Sequence, residues 1–126
     1  MTKQERLEAA NEFMQVIASC GRKFFEHEGF VSSLELSSTG RVFFIDYYTK
    51  KRIYTHRKYC PWRGFTSGGT MKMMVEAMRD FITKGDTMRA AYFQPDMGNG
   101  FSNPWGYGQD ILVVRDAALR LGLATQ

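Results

Sequence analysis

The sequence predicts an α+β domain built from a helix, a three-stranded antiparallel meander, a second helix, a long ordered loop and a C-terminal helix. Three observations carry that reading. Residues 2–25 and 70–84 repeat apolar side chains at three- and four-residue spacing, as a helix with one buried stripe requires. Between them lie three short runs rich in β-branched and aromatic residues, separated by Ser38-Thr39-Gly40 and Thr49-Lys50-Lys51. Connections that short join neighbouring strands as hairpins. At 126 residues the chain is one domain by size and long enough to bury a core without covalent staples.

The first helix is expected from Thr2 to about Phe25, with Leu7, Ala10, Met14, Ile17 and Phe24 on its buried stripe. Thr2 followed by Glu5 fits a capping box, and Gly21 weakens or ends the last turn. The first strand is expected over Phe30–Ser37, with Phe30, Leu34 and Leu36 sharing a face. Arg41–Tyr48 reads as the central strand and Arg52–His56 as a short cationic edge. Tyr59–Gly69 carries Pro61, Gly64 and a Gly68-Gly69 pair, and is expected to be irregular. From Thr70 the residues Met71, Met74, Val75, Met78, Phe81 and Ile82 follow helical spacing, and Gly85 suits a left-handed C-terminal position. Asp86–Gln109 holds Pro95, Pro104 and four glycines, but its aromatic rings would be costly in water, so an ordered loop is expected. Asp110 is expected to cap a final helix ending before Gly122.

Charge gives the functional signal. Between Tyr47 and Val75 stand Lys50, Lys51, Arg52, Arg57, Lys58, Arg63 and Lys72, with no carboxylate. The whole chain nets only +4, so the remainder is net acidic. Tyr47, Tyr48, Tyr54, Tyr59, Trp62 and Phe65 are threaded among those cations. Cations neutralise phosphates and rings stack on unpaired bases, so the combination points to nucleic acid or a nucleoprotein complex. Lys50, Lys51, Arg52, Arg57, Lys58 and Arg63 are the expected phosphate contacts, with Tyr54, Tyr59 and Trp62 as stacking or packing groups. The competing reading is a solvated sheet edge whose lysines only discourage unwanted pairing. A second binding reading uses the loop at 86–109, where Tyr92, Phe93, Phe101, Trp105 and Tyr107 have the composition of interface anchors for a partner protein.

Catalysis finds little support, and a non-enzymatic protein is expected. His56 and Cys60 are four apart across a strand end, where that spacing does not bring side chains together. His27 lies between Glu26 and Glu28, but three adjacent residues rarely converge on one ion. Cys20 and Cys60 make neither a zinc set nor a redox pair, and no metal or cofactor is expected. The glycine pairs near 98–100 and 106–108 lack a phosphate-loop lysine. The N-terminus has no signal-peptide character and no apolar run reaches the ~20 residues of a membrane span. A cytoplasmic protein without a membrane partner is the expectation.

The order of elements is similar to that of double-stranded-RNA-binding domains. However, Gly69-Thr70-Met71-Lys72-Met73 carries one lysine where such domains open their second helix with a cluster, so no residue role transfers. The stretches Arg41-Val42-Phe43-Phe44-Ile45-Asp46, Trp62-Arg63-Gly64-Phe65-Thr66, Met78-Arg79-Asp80-Phe81-Ile82 and Trp105-Gly106-Tyr107-Gly108 resemble small accessory proteins encoded by phages and mobile elements. That resemblance implies a context, namely binding to host or defence machinery, and no particular activity.

Overall fold

The computed structural model describes residues 1–20, 23–58, 62–95, 104–106 and 108–126. Helix α1 spans Lys3–Ser19. Its capping box forms as the sequence predicts: the Glu5 backbone N–H donates to Thr2 Oγ1 at 3.1 Å, and the Thr2 N–H donates to Glu5 Oε1 at 2.9 Å. The Thr2 backbone N–H stabilises the Glu5 carboxylate and holds its pKa below the usual value. The helix stops six residues before Phe25, because Cys20 turns to an extended conformation. Phe25 is nevertheless buried, with φ at 70°, a left-handed backbone that bulky residues rarely adopt.

Strands β1 (Glu26–His27) and β2 (Phe30–Val31) form a two-residue hairpin. The main sheet follows, with β3 (Ser33–Leu36), β4 (Val42–Asp46) and β5 (Lys51–Tyr54) antiparallel in the order β3-β4-β5. The expected first strand is thus divided at Ser32. Its N–H donates to Phe25 O at 2.8 Å and its Oγ accepts from the Tyr47 N–H at 2.9 Å, so these polar groups leave the ladder. The break undoes the expected alternation, and Phe30 does not join Leu34 in the core: it is 54% exposed.

In the main sheet, Leu34, Phe44 and Ile53 lie directly opposite one another and are all buried. Helix α1 packs on β3, and α2 (Gly69–Lys84) packs on β4 and α1. Met74, Val75, Met78, Phe81 and Ile82 of α2 enter the same core, so the methionine stripe is packing rather than an open groove. Gly85 closes α2 in the left-handed region with φ at 76°. Helix α3 (Asp110–Leu121) lies against α1, with Gln109 rather than Asp110 in the capping position. Asp110 occupies the first turn, where a carboxylate opposes the positive end of the helix dipole.

After α2, residues 88–92 take regular structure where the sequence predicts loop. Strand β6 (Met88–Arg89) pairs in parallel with a C-terminal strand β7 (Ala124–Thr125), and Ala90–Tyr92 form one 3₁₀ turn. Phe93 and Trp105 then pack on Phe13 of α1, with ring centroids 6.4 and 5.7 Å away and 5.6 Å from each other. Gly106 is required there, since a Cβ would sit 2.8 Å from Ile111 Cα.

Candidate nucleic-acid interface

Strand alternation divides the basic stretch between two sides of the sheet. One side is the core face. The other carries Ser33 and Glu35 on β3, Phe43 and Ile45 on β4, and Arg52 and Tyr54 on β5, all half-buried or exposed. Phe43 lies opposite both Glu35 and Tyr54, and Ile45 opposite Arg52. The Arg52 guanidinium stacks 3.5 Å from the Phe43 centroid and also pairs with Glu35 at 2.8 Å. Tyr54 tilts against Phe43 at 5.5 Å and against His56 at 5.5 Å.

Just beyond β4, Tyr47 keeps the outward parity of Phe43 and Ile45. Phe30 stacks on it at 4.7 Å with planes 13° apart, and Lys50 Nζ lies 3.3 Å from its ring centroid. Lys50 holds a left-handed backbone, φ 61°, which turns the chain into β5. The result is two ring-and-cation stacks, Phe30–Tyr47–Lys50 and Tyr54–Phe43–Arg52. Arg41, exposed just before β4, has the same parity as Phe43.

His56 closes the β5 edge. Its Nε2 accepts the Val42 backbone N–H at 2.9 Å, in place of the carbonyl that would continue the ladder. The ring must be neutral at Nε2 to accept. Burial lowers its pKa below 6.5, helped by Arg79 and Arg41 and Lys84, with Asp80 opposing. His56, Arg57 and Lys58 line a cleft of about 340 Å³ shared with Glu76, Arg79, Asp80 and Lys84 of α2. Arg79 is committed to structure: it donates to Asp80 Oδ1 at 3.0 Å and to the Thr55 carbonyl.

The predicted site residues therefore do not form one surface. Lys50, Arg52 and Tyr54 belong to the open sheet face, and Arg57 and Lys58 are exposed at its edge. Lys51 points the other way, its Cδ 3.3 Å from where a Cβ on Gly64 would lie. Arg63 is exposed in the same 62–65 turn. Trp62 is a core residue, 1% exposed, with Phe65 at 5.4 Å, and its Nε1 donates to the Arg57 carbonyl at 3.1 Å. It does not present a stacking face. Lys72 lies 4.8 Å from its ring centroid and pairs with Glu76 at 2.8 Å. Tyr59 lies outside the described residues.

Of the loop residues expected to anchor a partner protein, Phe93 and Trp105 are buried, 0% and 6% exposed, because they complete the α1 core. Tyr92 is exposed, while Phe101 and Tyr107 lie outside the described residues. The sequence reading left Arg41, Phe43, Tyr47 and Phe30 out of the site. The signal for three of them was the alternation Arg41-Phe43-Ile45-Tyr47; Phe30 had none, since its exposure follows from the break at Ser32. Among the described residues, no three His, Cys, Asp or Glu side chains are grouped to hold a metal ion, and no helix is long and apolar enough to cross a membrane.

The YoqU family model matches residues 1–124, which is nearly the whole chain. The chain belongs to the YoqU family. No curated protein and no solved structure matches it.

Proposed function

We propose that this protein binds nucleic acid, single-stranded in particular, on the sheet face opposite the helices. The observation that carries the reading is the interleaving of rings and cations there: Arg52 on Phe43 beside Tyr54, and Lys50 on Tyr47 beside Phe30. Bases of a single strand expose π-faces that stack on such rings with little regard for sequence. The phosphates would meet Lys50, Arg52 and Arg41, then Arg57 and Lys58 along the β5 edge. Glu35 holds Arg52 in the free protein, so phosphate takes its place rather than adding to it.

Fluorescence anisotropy with single- and double-stranded DNA and RNA tests the proposal. Three to five phosphate contacts give a log–log salt slope of about −2 to −3.5 for a single strand. A slope near zero, or no binding at low salt, defeats the reading.

We also infer a phage or mobile-element origin and a cytoplasmic, anti-defence or host-directed role, supported by the resemblance of the four quoted stretches and by YoqU membership. The partner would then be a nucleoprotein complex of the host, engaged through the same face. Docking on a partner protein through residues 86–109 is less favoured, because Phe93 and Trp105 are spent on the core.

A further inference from the structure

We propose that the cavity between the β1–β2 hairpin, the end of β4 and the start of α2 is a binding site for a small organic ammonium ion. The cavity is about 180 Å³, and Phe25, Phe44, Tyr48 and His27 wall it with rings while Asp46 and Glu26 supply carboxylates. Tyr48 and His27, both in its lining, meet edge to face at 4.6 Å, and Tyr48 is 66% exposed.

Asp46 decides the chemistry. It is 5% exposed, and its oxygens accept only neutral donors: the Tyr48 N–H at 3.0 Å and the Thr49 hydroxyl at 2.9 Å. Among the described residues no Lys, Arg or His nitrogen lies within 4.0 Å of it. Its cross-strand neighbour Lys51 runs along Gly64 instead. A buried carboxylate without a cation is costly, and each oxygen retains capacity for a further donor. An ammonium group supplies both the charge and the N–H donors, and the ring walls favour it over a neutral group of the same shape. A metal ion is a poor match, since the donors do not make a ligand set. Glu26 accepts the Gly29 N–H at 2.6 Å through Oε1, and its carboxylate adds negative field and further acceptor capacity to the same wall. The site faces the core side of the sheet, so it does not depend on nucleic-acid binding at the outer face.

The test uses the full chain and n-butylammonium as probe, with 1-butanol as its neutral counterpart, at mildly alkaline pH. Backbone amide shifts in NMR spectra report on Ser32, Asp46 and Tyr48. The expected result is saturable shifts at millimolar n-butylammonium and none with 1-butanol. Asp46→Asn should weaken binding about tenfold or more, the loss of one charged hydrogen bond. Because Asp46 also holds its turn, Tyr48→Leu is the second variant. It removes only an exposed ring and should weaken binding several-fold with an unchanged melting temperature. Equal shifts from 1-butanol, unsaturated shifts, or full binding by folded Asp46→Asn would each overturn the assignment.

Discussion

Replacing Trp62 by alanine should cost the fold heavily and leave the chemistry of nucleic-acid binding untouched. The ring is 1% exposed, packs on Phe65 and lies under Lys72, and its Nε1–H satisfies the Arg57 carbonyl. Truncating a buried Trp costs about 3–5 kcal/mol. The lost hydrogen bond adds about 1 kcal/mol. A chain of this length has a total stability of about 6–19 kcal/mol, so the loss is a large share of it and the urea midpoint should fall sharply. Trp62→Phe keeps a ring against Phe65 and should cost roughly 2 kcal/mol, the hydrogen bond plus part of the volume. Far-UV circular dichroism should follow the unfolding, since fluorescence loses one of its two tryptophans. An alanine variant with an unchanged midpoint but abolished nucleic-acid affinity would refute the reasoning, and would return Trp62 to the surface as a stacking group.

Three further expectations follow from the same geometry. Glu35→Ala frees Arg52 from an exposed ion pair worth about 0.2–1 kcal/mol, so affinity for a single strand should rise about 1.5- to 5-fold in anisotropy titrations. A fall in affinity would mean that Glu35 orients Arg52 for the ligand. His56 is held neutral in the folded chain and its pKa lies below 6.5, so the unfolded chain takes up its proton first as pH falls. Stability from His56 is thus complete above pH 6.5 and is lost as pH drops from there through the folded value. Urea midpoints between neutral and mildly acidic pH should decline less for His56→Gln, whose amide oxygen can still accept from Val42; equal decline would show that His56 is not the titrating group. Gly106→Ala places a methyl 2.8 Å from Ile111 Cα, and overpacking of this kind costs about 1–3 kcal/mol, read as a lower melting temperature.

What could be read from the residues depended on whether one element or two decided their fate. Helix α2 was legible because its apolar spacing, Gly85 and its length all agree. The meander was legible for the same reason, in its β-branched runs and short turns. The hairpin of β1 and β2 was not, since two-residue strands leave no period to detect, and the turn that joins them depends on Glu28, a non-glycine residue, adopting a left-handed backbone beside Gly29. The parallel pairing of β6 with β7 joins residues 36 positions apart, beyond any local signal. At the site, composition located the cations but not their sides. Adjacent Lys51 and Arg52 point in opposite directions, and an aromatic-basic window gave Trp62 and Tyr54 the same standing although one is core and the other surface. Burial of Phe93 and Trp105 was foreseen as a reason for order but not carried through to their role.

Two double variants of equal charge decide which side of the sheet meets the nucleic acid. Lys50→Ala with Arg52→Ala removes two cations from the open face; Lys51→Ala with Arg63→Ala removes two from the other side. Salt titrations of single-stranded binding should show the first pair lowering the log–log slope by about 1.4 and the second leaving it close to wild type. Equal losses from both pairs, or a larger loss from Lys51 and Arg63, would contradict the open sheet face as the binding surface.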